Sequence, residues 1–139
     1  MIILDTNVIS ELMKIEPAEA VFSWVDRRPA EELFTTAVNQ AEVLFGVAAM
    51  PVGRKKELLQ EAAIRMFEQQ FRGRILPFDR DTARPYADIV VRRRRVGRPI
   101  EKFDAQIAAI AAHRGMTVAT RDIGDFENCG IQVVDPWTV

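Results

Sequence analysis

The chain contains one cysteine and one histidine among 139 residues. Cys129 therefore has no partner for an intramolecular disulfide or a thiolate metal site, which suits a reducing compartment, and it reads as an unreactive small hydrophobe. His113, standing alone, reads as a helix-end or surface residue, and no His/Cys cluster exists for zinc. No apolar run approaches the length of a transmembrane helix. The opening Met1-Ile2-Ile3-Leu4-Asp5 has no basic stretch and meets an acid at once, unlike a signal peptide, so the expected location is cytoplasmic. Lysine and arginine total 19 against 20 acids, a formal net charge of −1, which excludes coating of nucleic acid through bulk positive charge. Gly-rich phosphate loops, internal repeats and Gly/Ser linkers are also missing.

What remains is an ordinary globular composition, 48% hydrophobic and 28% charged, read as one domain over residues 1–139. A chain of this size buries roughly two-thirds of its unfolded surface, enough to stand without disulfide or structural metal. Ile2-Ile3-Leu4 is a short continuous apolar run, as in a central parallel strand, and Asp5 closes it. Residues 8–13 look helical, and Pro17 stands where a second helix starts, with Val21, Trp24 and Val25 as its stripe. Leu33-Phe34-Thr35-Thr36 reads as the next strand, and 37–50 as a helix ended by Pro51 and Gly53.

Residues 54–71 form a longer amphipathic stretch through Leu58, Leu59, Ala62, Ala63, Met66 and Phe67, read as core rather than as an exposed docking stripe. A strand at 74–78 precedes a helix capped by Asp79 or Asp81 and running to Arg95, its first turn distorted by Pro85. A helix over 103–113 stops at Gly115, and strands follow at 117–120 and 131–134. Strands alternating with helices imply an α/β fold: a mostly parallel five-stranded sheet with helices on both faces, a three-layer sandwich. Ligands of such sheets bind in the crevice outside the carboxyl ends of the strands.

Four acids point at that crevice. Asp5 follows the first strand, Asp122 follows the strand at 117–120, and Glu42 and Asp104 stand near helix starts. Asp104 shares its helical face with Ile107, Ala108 and Ala111, and Glu42 shares spacing with Val38, Phe45 and Ala49, so solvent-facing placement is not the simple reading of either. Each acid alone is equally well a cap or a favourable partner of the helix dipole. Together, like charges at close range must protonate in part or take up a cation. All-oxygen donors suit Mg²⁺ or Mn²⁺, and a carboxylate-held ion of this kind suits phosphodiester hydrolysis.

Four blocks carry a family resemblance. Ile3-Leu4-Asp5-Thr6-Asn7-Val8-Ile9-Ser10, Ala41-Glu42-Val43 with Gly46, Phe103-Asp104-Ala105-Gln106-Ile107-Ala108, and Val118-Ala119-Thr120-Arg121-Asp122 resemble, in order and spacing, those of PIN-domain ribonucleases. The closing Val134-Asp135-Pro136-Trp137 is similar to the end of VapC toxins in that family. The resemblance implies a PIN-like fold and an RNA endonuclease using Mg²⁺ or Mn²⁺, commonly a homodimer held inactive by a cognate antitoxin. It implies Asp5 and Asp104 as metal ligands, Glu42 as a further ligand or a partner of the ion's water, and Asp122 completing the set. Asn7 and Thr120 would orient ligands or phosphate. The last acid falls at Asp122 or at Asp125, and Asp122 is preferred as nearer the strand.

Arg92-Arg93-Arg94-Arg95 and Arg98 offer a local basic patch for an RNA backbone or an acidic partner, with Arg94, Arg95 and Arg98 as the candidates. A solvated helix C-terminus explains the run equally well, and four consecutive residues cannot all face one ligand. Two other functions compete with cleavage. A receiver-like phosphoacceptor domain normally has an acidic pair after its first strand, where this chain has Thr6 and Asn7 beyond Asp5. A catalytically silent PIN-like module would bind RNA or a partner without cutting.

Overall fold

Ile2, Ile3 and Leu4 are apolar, two of them β-branched, so the segment is best accommodated as a pleated strand covered on both faces. It forms β1 (Ile2–Leu4), where Ile3 and Leu4 have no exposed surface. In the computed structural model, which describes residues 1–139, β1 is the central strand of five, with β2 (Leu33–Thr36), β3 (Ile75–Leu76), β4 (Thr117–Ala119) and β5 (Val133–Val134). Their order is β3-β2-β1-β4-β5, and every pairing is parallel, so the mostly parallel sheet is parallel throughout.

Six helices cover the sheet: α1 (Thr6–Leu12), α2 (Glu19–Asp26), α3 (Ala37–Ala48), α4 (Arg54–Ile64), α5 (Ala83–Arg95) and α6 (Lys102–Arg114). Alternation along the strands divides the core in two. Ile3 and Val118 join Ile89 of α5 and Ile107 and Ile110 of α6 in one cluster. Leu4 and Ala119 join Val8 and Ile9 of α1, Val21 and Trp24 of α2, and Val43 of α3 in the other. The three-layer arrangement follows from a strand with period two meeting helices on either side.

Local chemistry sets the helix ends. The Thr36 hydroxyl accepts the Asn39 N–H at 3.1 Å and starts α3. The Glu101 carboxylate accepts the N–H groups of Phe103 at 2.9 Å and Asp104 at 3.2 Å and starts α6. Gly115, at φ 66°, ends α6 in the left-handed conformation that glycine adopts without a Cβ penalty.

Three expectations need adjustment. The stretch 54–71 is not one regular helix: beyond α4 it widens into a π turn (Arg65–Gln70), closed by the Phe71 N–H on the Met66 carbonyl at 2.9 Å. That turn keeps Met66, Phe67 and Phe71 in the core, while Leu58, Leu59 and Ala62 stay half-exposed. Pro85 is the third residue of α5, inside the first turn whose N–H groups lack intrahelical acceptors, so its ring is tolerated there. The distortion lies just upstream, as a 3₁₀ turn (Arg80–Thr82) capped by Asp79. Finally, Phe45 and Ala49 are exposed, and the buried face of α3 is Asn39, Val43 and Val47, so of the apolar stripe assigned to Glu42 only Val38 packs against the core.

β2 and β4 flank β1 on opposite sides, which makes the carboxyl ends of β1 and β4 the topological switch point of the sheet. Asp5 and the Thr120-Arg121-Asp122 segment leave those ends. The order differs from the 2-1-3-4-5 order of receiver-like sheets, which removes that alternative. No helix is long and apolar enough to cross a membrane.

Candidate active site

Asp5 is 6% exposed and caps α1. Its Oδ1 accepts the Thr6 N–H at 2.8 Å and Asn39 Nδ2 at 2.9 Å, and its Oδ2 accepts the Thr120 hydroxyl at 2.8 Å. Two segments distant in sequence and the neighbouring Thr6 thus fix one carboxylate. Burial nevertheless outweighs these donors and raises its pKa above the ordinary carboxylate value, with the Asp122 charge adding to the rise.

Thr120 and Asn7 extend the network. Asn7 Nδ2 donates to Thr120 Oγ1 and to Asp122 Oδ2, both at 3.1 Å, while its Oδ1 accepts the Arg121 N–H at 3.2 Å. The Asp122 N–H also donates to Thr120 Oγ1, at 3.1 Å. Every fully buried side-chain nitrogen and oxygen in the molecule has a partner. This wall of the crevice is held in one arrangement by satisfied hydrogen bonds.

The opposite wall is poorer in donors. Glu42, half-buried on α3, accepts only the Thr6 hydroxyl, at 3.3 Å. Burial, then the charges of Asp5 and Glu101, raise its pKa. Asp104, half-buried in the first turn of α6, is pushed up to about 7, first by burial and then by Asp5, Asp125, Glu101 and Glu42. One carboxyl group therefore feels four others.

Asp5, Glu42 and Asp125 each bear on Asp104, Asp5 also bears on Glu42, and Asp122 joins Asp5 through Asn7 and Thr120. Asp125, in the 3₁₀ turn Ile123–Phe126, acts on Asp104, whereas Asp122 acts on Asp5, so the two compared positions face different members of the set. No three His, Cys, Asp or Glu side chains are gathered tightly enough to cage a metal ion as they stand. Arg94 and Arg95 are exposed and make no bond to the acids, and Arg98 pairs with Glu127.

Sequence reasoning missed Asn39, Thr6 and Glu101. Asn39 is fully buried and donates to both Asp5 and the Thr6 hydroxyl, the latter at 3.0 Å. Its signal was available: it leads Val43 and Val47 on one helical face, and a polar residue in such a stripe needs a partner. A cavity of about 680 Å³ lies elsewhere, between α1, α2 and α4 and lined by Phe22, Leu58 and Leu59 among others. The acids lie instead at the switch-point crevice beyond the carboxyl ends of β1 and β4.

A family model described as PIN domain matches residues 2–130. The chain is 44% identical over 137 residues to VapC ribonuclease Y4jK of Sinorhizobium fredii, covering 99% of this chain and 98% of that one. It is 42% identical over 137 residues to Toxin FitB of Neisseria gonorrhoeae, covering 99% of each. The solved structure of FitAB bound to an IR36 DNA fragment contains a chain that superposes with a TM-score of 0.93 at 42% identity, covering 100% of this chain and 97% of that one.

Proposed function

Because this chain belongs to the PIN-domain family, we propose that it is a Mg²⁺- or Mn²⁺-dependent endoribonuclease, the toxin of a toxin–antitoxin pair. The single observation that carries the reading is the convergence of acids at the start of α6, where Asp5 from the end of β1, Glu42 from α3 and Asp125 from the turn after β4 all bear on the half-buried Asp104. Such a set is relieved by a cation.

The donors fit a hard ion: they are carboxylate and amide or hydroxyl oxygens, with no sulfur or imidazole among them. The lack of a tight three-residue cage suits an ion that keeps several of its waters and uses one or two carboxylates directly. Asp5 and Asp104 would hold it, with Glu42 and Asp122 or Asp125 completing the acidic shell. Bound there, the ion would supply a more acidic water and neutralise charge on the scissile phosphate. Asp5 brings a rigidly held carboxylate, so its position does not depend on the substrate. Asn7 and Thr120 keep Asp122 aimed at the same crevice. Asp104 bears its proton or its charge at Oδ according to what else is bound.

The relatives' names support RNA as substrate and toxin as role, and the FitAB assembly supports a protein partner, which for a toxin would be its cognate antitoxin. A homodimer acting in the cytoplasm completes the proposal. Labelled RNA incubated with Mn²⁺ or with EDTA tests it, using the parent protein and Asp104→Asn. Cleavage only by the parent and only with metal is expected. A folded Asp104→Asn protein cutting at the parent rate would falsify the assignment, and a parent that binds RNA without cutting it would mark a silent module.

A further inference from the structure

Arg92, Arg93, Arg94 and Arg95 end α5, and three of them face solvent, whereas Arg93 is 4% exposed. A guanidinium stays charged at any pH proteins meet, so burying it requires acceptors for its donors. Backbone carbonyls supply them. Nε donates to the Arg98 oxygen at 2.6 Å, and Nη1 to those of Asp125 at 2.8 Å and Glu127 at 3.0 Å, with Cys129 Sγ at 3.7 Å. No carboxylate is among these partners, so the side chain is not buried for an ion pair.

The three carbonyls share a position relative to the acids. Arg98 belongs to the link from α5 to α6, just before Glu101, whose carboxylate starts α6 and so places Asp104. Asp125 and Glu127 belong to the link after β4, which carries Asp122 and Asp125. Arg98 repeats the tie from outside: it pairs with the Glu127 carboxylate and reaches the Gly124 oxygen at 3.4 Å.

Resting on the nuclease reading above, we infer that Arg93 is a positioning residue of the acidic crevice: its guanidinium sets the spacing between the link that delivers Asp104 and the link that delivers Asp125. A planar fork can hold carbonyls from two links at fixed angles, while a lysine ammonium offers one compact charge on a flexible stem. In a close-packed interior, loosening such a tie shifts the links it joins. A displacement of about 1 Å in a reacting group can cost on the order of 10² in rate.

Arg93→Lys and Arg98→Gln test this against the parent through amide exchange without metal, the Mn²⁺-induced melting shift, and kcat and KM on labelled RNA. In Arg93→Lys, amides of residues 98–104 and 122–128 should exchange about tenfold faster, beyond any uniform change along the chain. The Mn²⁺ concentration for half-maximal shift should rise, and kcat should fall about tenfold with KM within about twofold. Uniformly faster exchange, with parent-like Mn²⁺ response and kcat, would overturn the inference and leave Arg93 merely structural. Should Arg93→Lys fail to fold, Arg98→Gln, altered at an exposed side chain, carries the same readings at smaller amplitude. Parent-like exchange in both links there would equally overturn it. If the parent itself neither cuts RNA nor responds to Mn²⁺, the nuclease reading fails, and exchange in the two links still decides whether Arg93 spaces them.

Discussion

The two walls of the acidic crevice treat their carboxylates differently. On the β1/β4 wall, Asp5 accepts three hydrogen bonds and Asp122 accepts one from Asn7. On the α3/α6 wall, Glu42 accepts one long bond, and nothing but burial and like charges shifts Asp104. Preorganised donors hold the first wall in place without an ion. The second wall stores the repulsion that an ion would relieve, so substitutions on the two walls should have opposite effects on metal-free stability.

The largest effect is expected at Asp104. Asp104→Asn should lower metal-dependent RNA cleavage by on the order of 10² to 10⁴ while melting higher than the parent in EDTA. A lower melting temperature for a folded Asp104→Asn protein would break the contrast between the walls.

Thr120→Val should do the reverse. It keeps the shape but removes the hydroxyl that donates to Asp5 and accepts from Asn7 and the Asp122 N–H. Leaving the buried Asp5 carboxylate without this donor should cost about 1–3 kcal/mol, read from urea denaturation. A loss below about 0.3 kcal/mol would mean that water replaces the hydroxyl and that the wall is not rigid.

The pH dependence of metal-free stability sharpens the comparison. Asp104 rises from 3.8 to about 7 on folding, so between those values the folded state holds more protons than the unfolded one. Its favourable contribution is full below the unfolded value and is lost as pH climbs through about 7. For a half-exposed group the loss should be on the order of 1 kcal/mol after solvent screening. Denaturation midpoints in EDTA from pH 4 to 8 should fall for the parent and flatten in Asp104→Asn; equal slopes would assign the dependence to other groups.

The smallest effect belongs outside the crevice. Arg94→Glu with Arg95→Glu should leave stability within about 0.5 kcal/mol, because both side chains are exposed and unpaired. If their replacement raises KM for RNA while kcat holds, the exposed arginines track the backbone; if both constants stay put, they are solvent-facing helix-end charges.

Much of the fold was legible because its signals are local. Ile2-Ile3-Leu4 and Leu33-Phe34-Thr35-Thr36 read as strands from composition, Gly115 as a helix stop from its backbone freedom, and the alternation of elements as a parallel sheet. The π turn was not legible, since Met66, Phe67 and Phe71 suit an α stripe nearly as well. Glu42 was placed in an apolar stripe of which only Val38 packs against the core while Phe45 and Ala49 stay in solvent, because periodicity identifies faces without saying which one meets the core.

By itself, the sequence determined the strands, the Asp79 cap and the Gly115 stop, the parallel class and the positions of the acids at element ends, all consequences of short-range sterics and hydrogen bonding. Only the tertiary structure decided which partners those acids meet. Asn39 turns toward Asp5 from 34 positions away, and Thr120 reaches Asp5 across 115. Glu101 and Asp125 come to bear on Asp104, and Arg93 leaves the exposed arginine run to bind the carbonyls of two links. The physical reason is that strand order, not spacing along the chain, sets distances in a parallel sheet. Placing β4 beside β1 brings residue 120 to residue 5, and no local pattern encodes that neighbourhood.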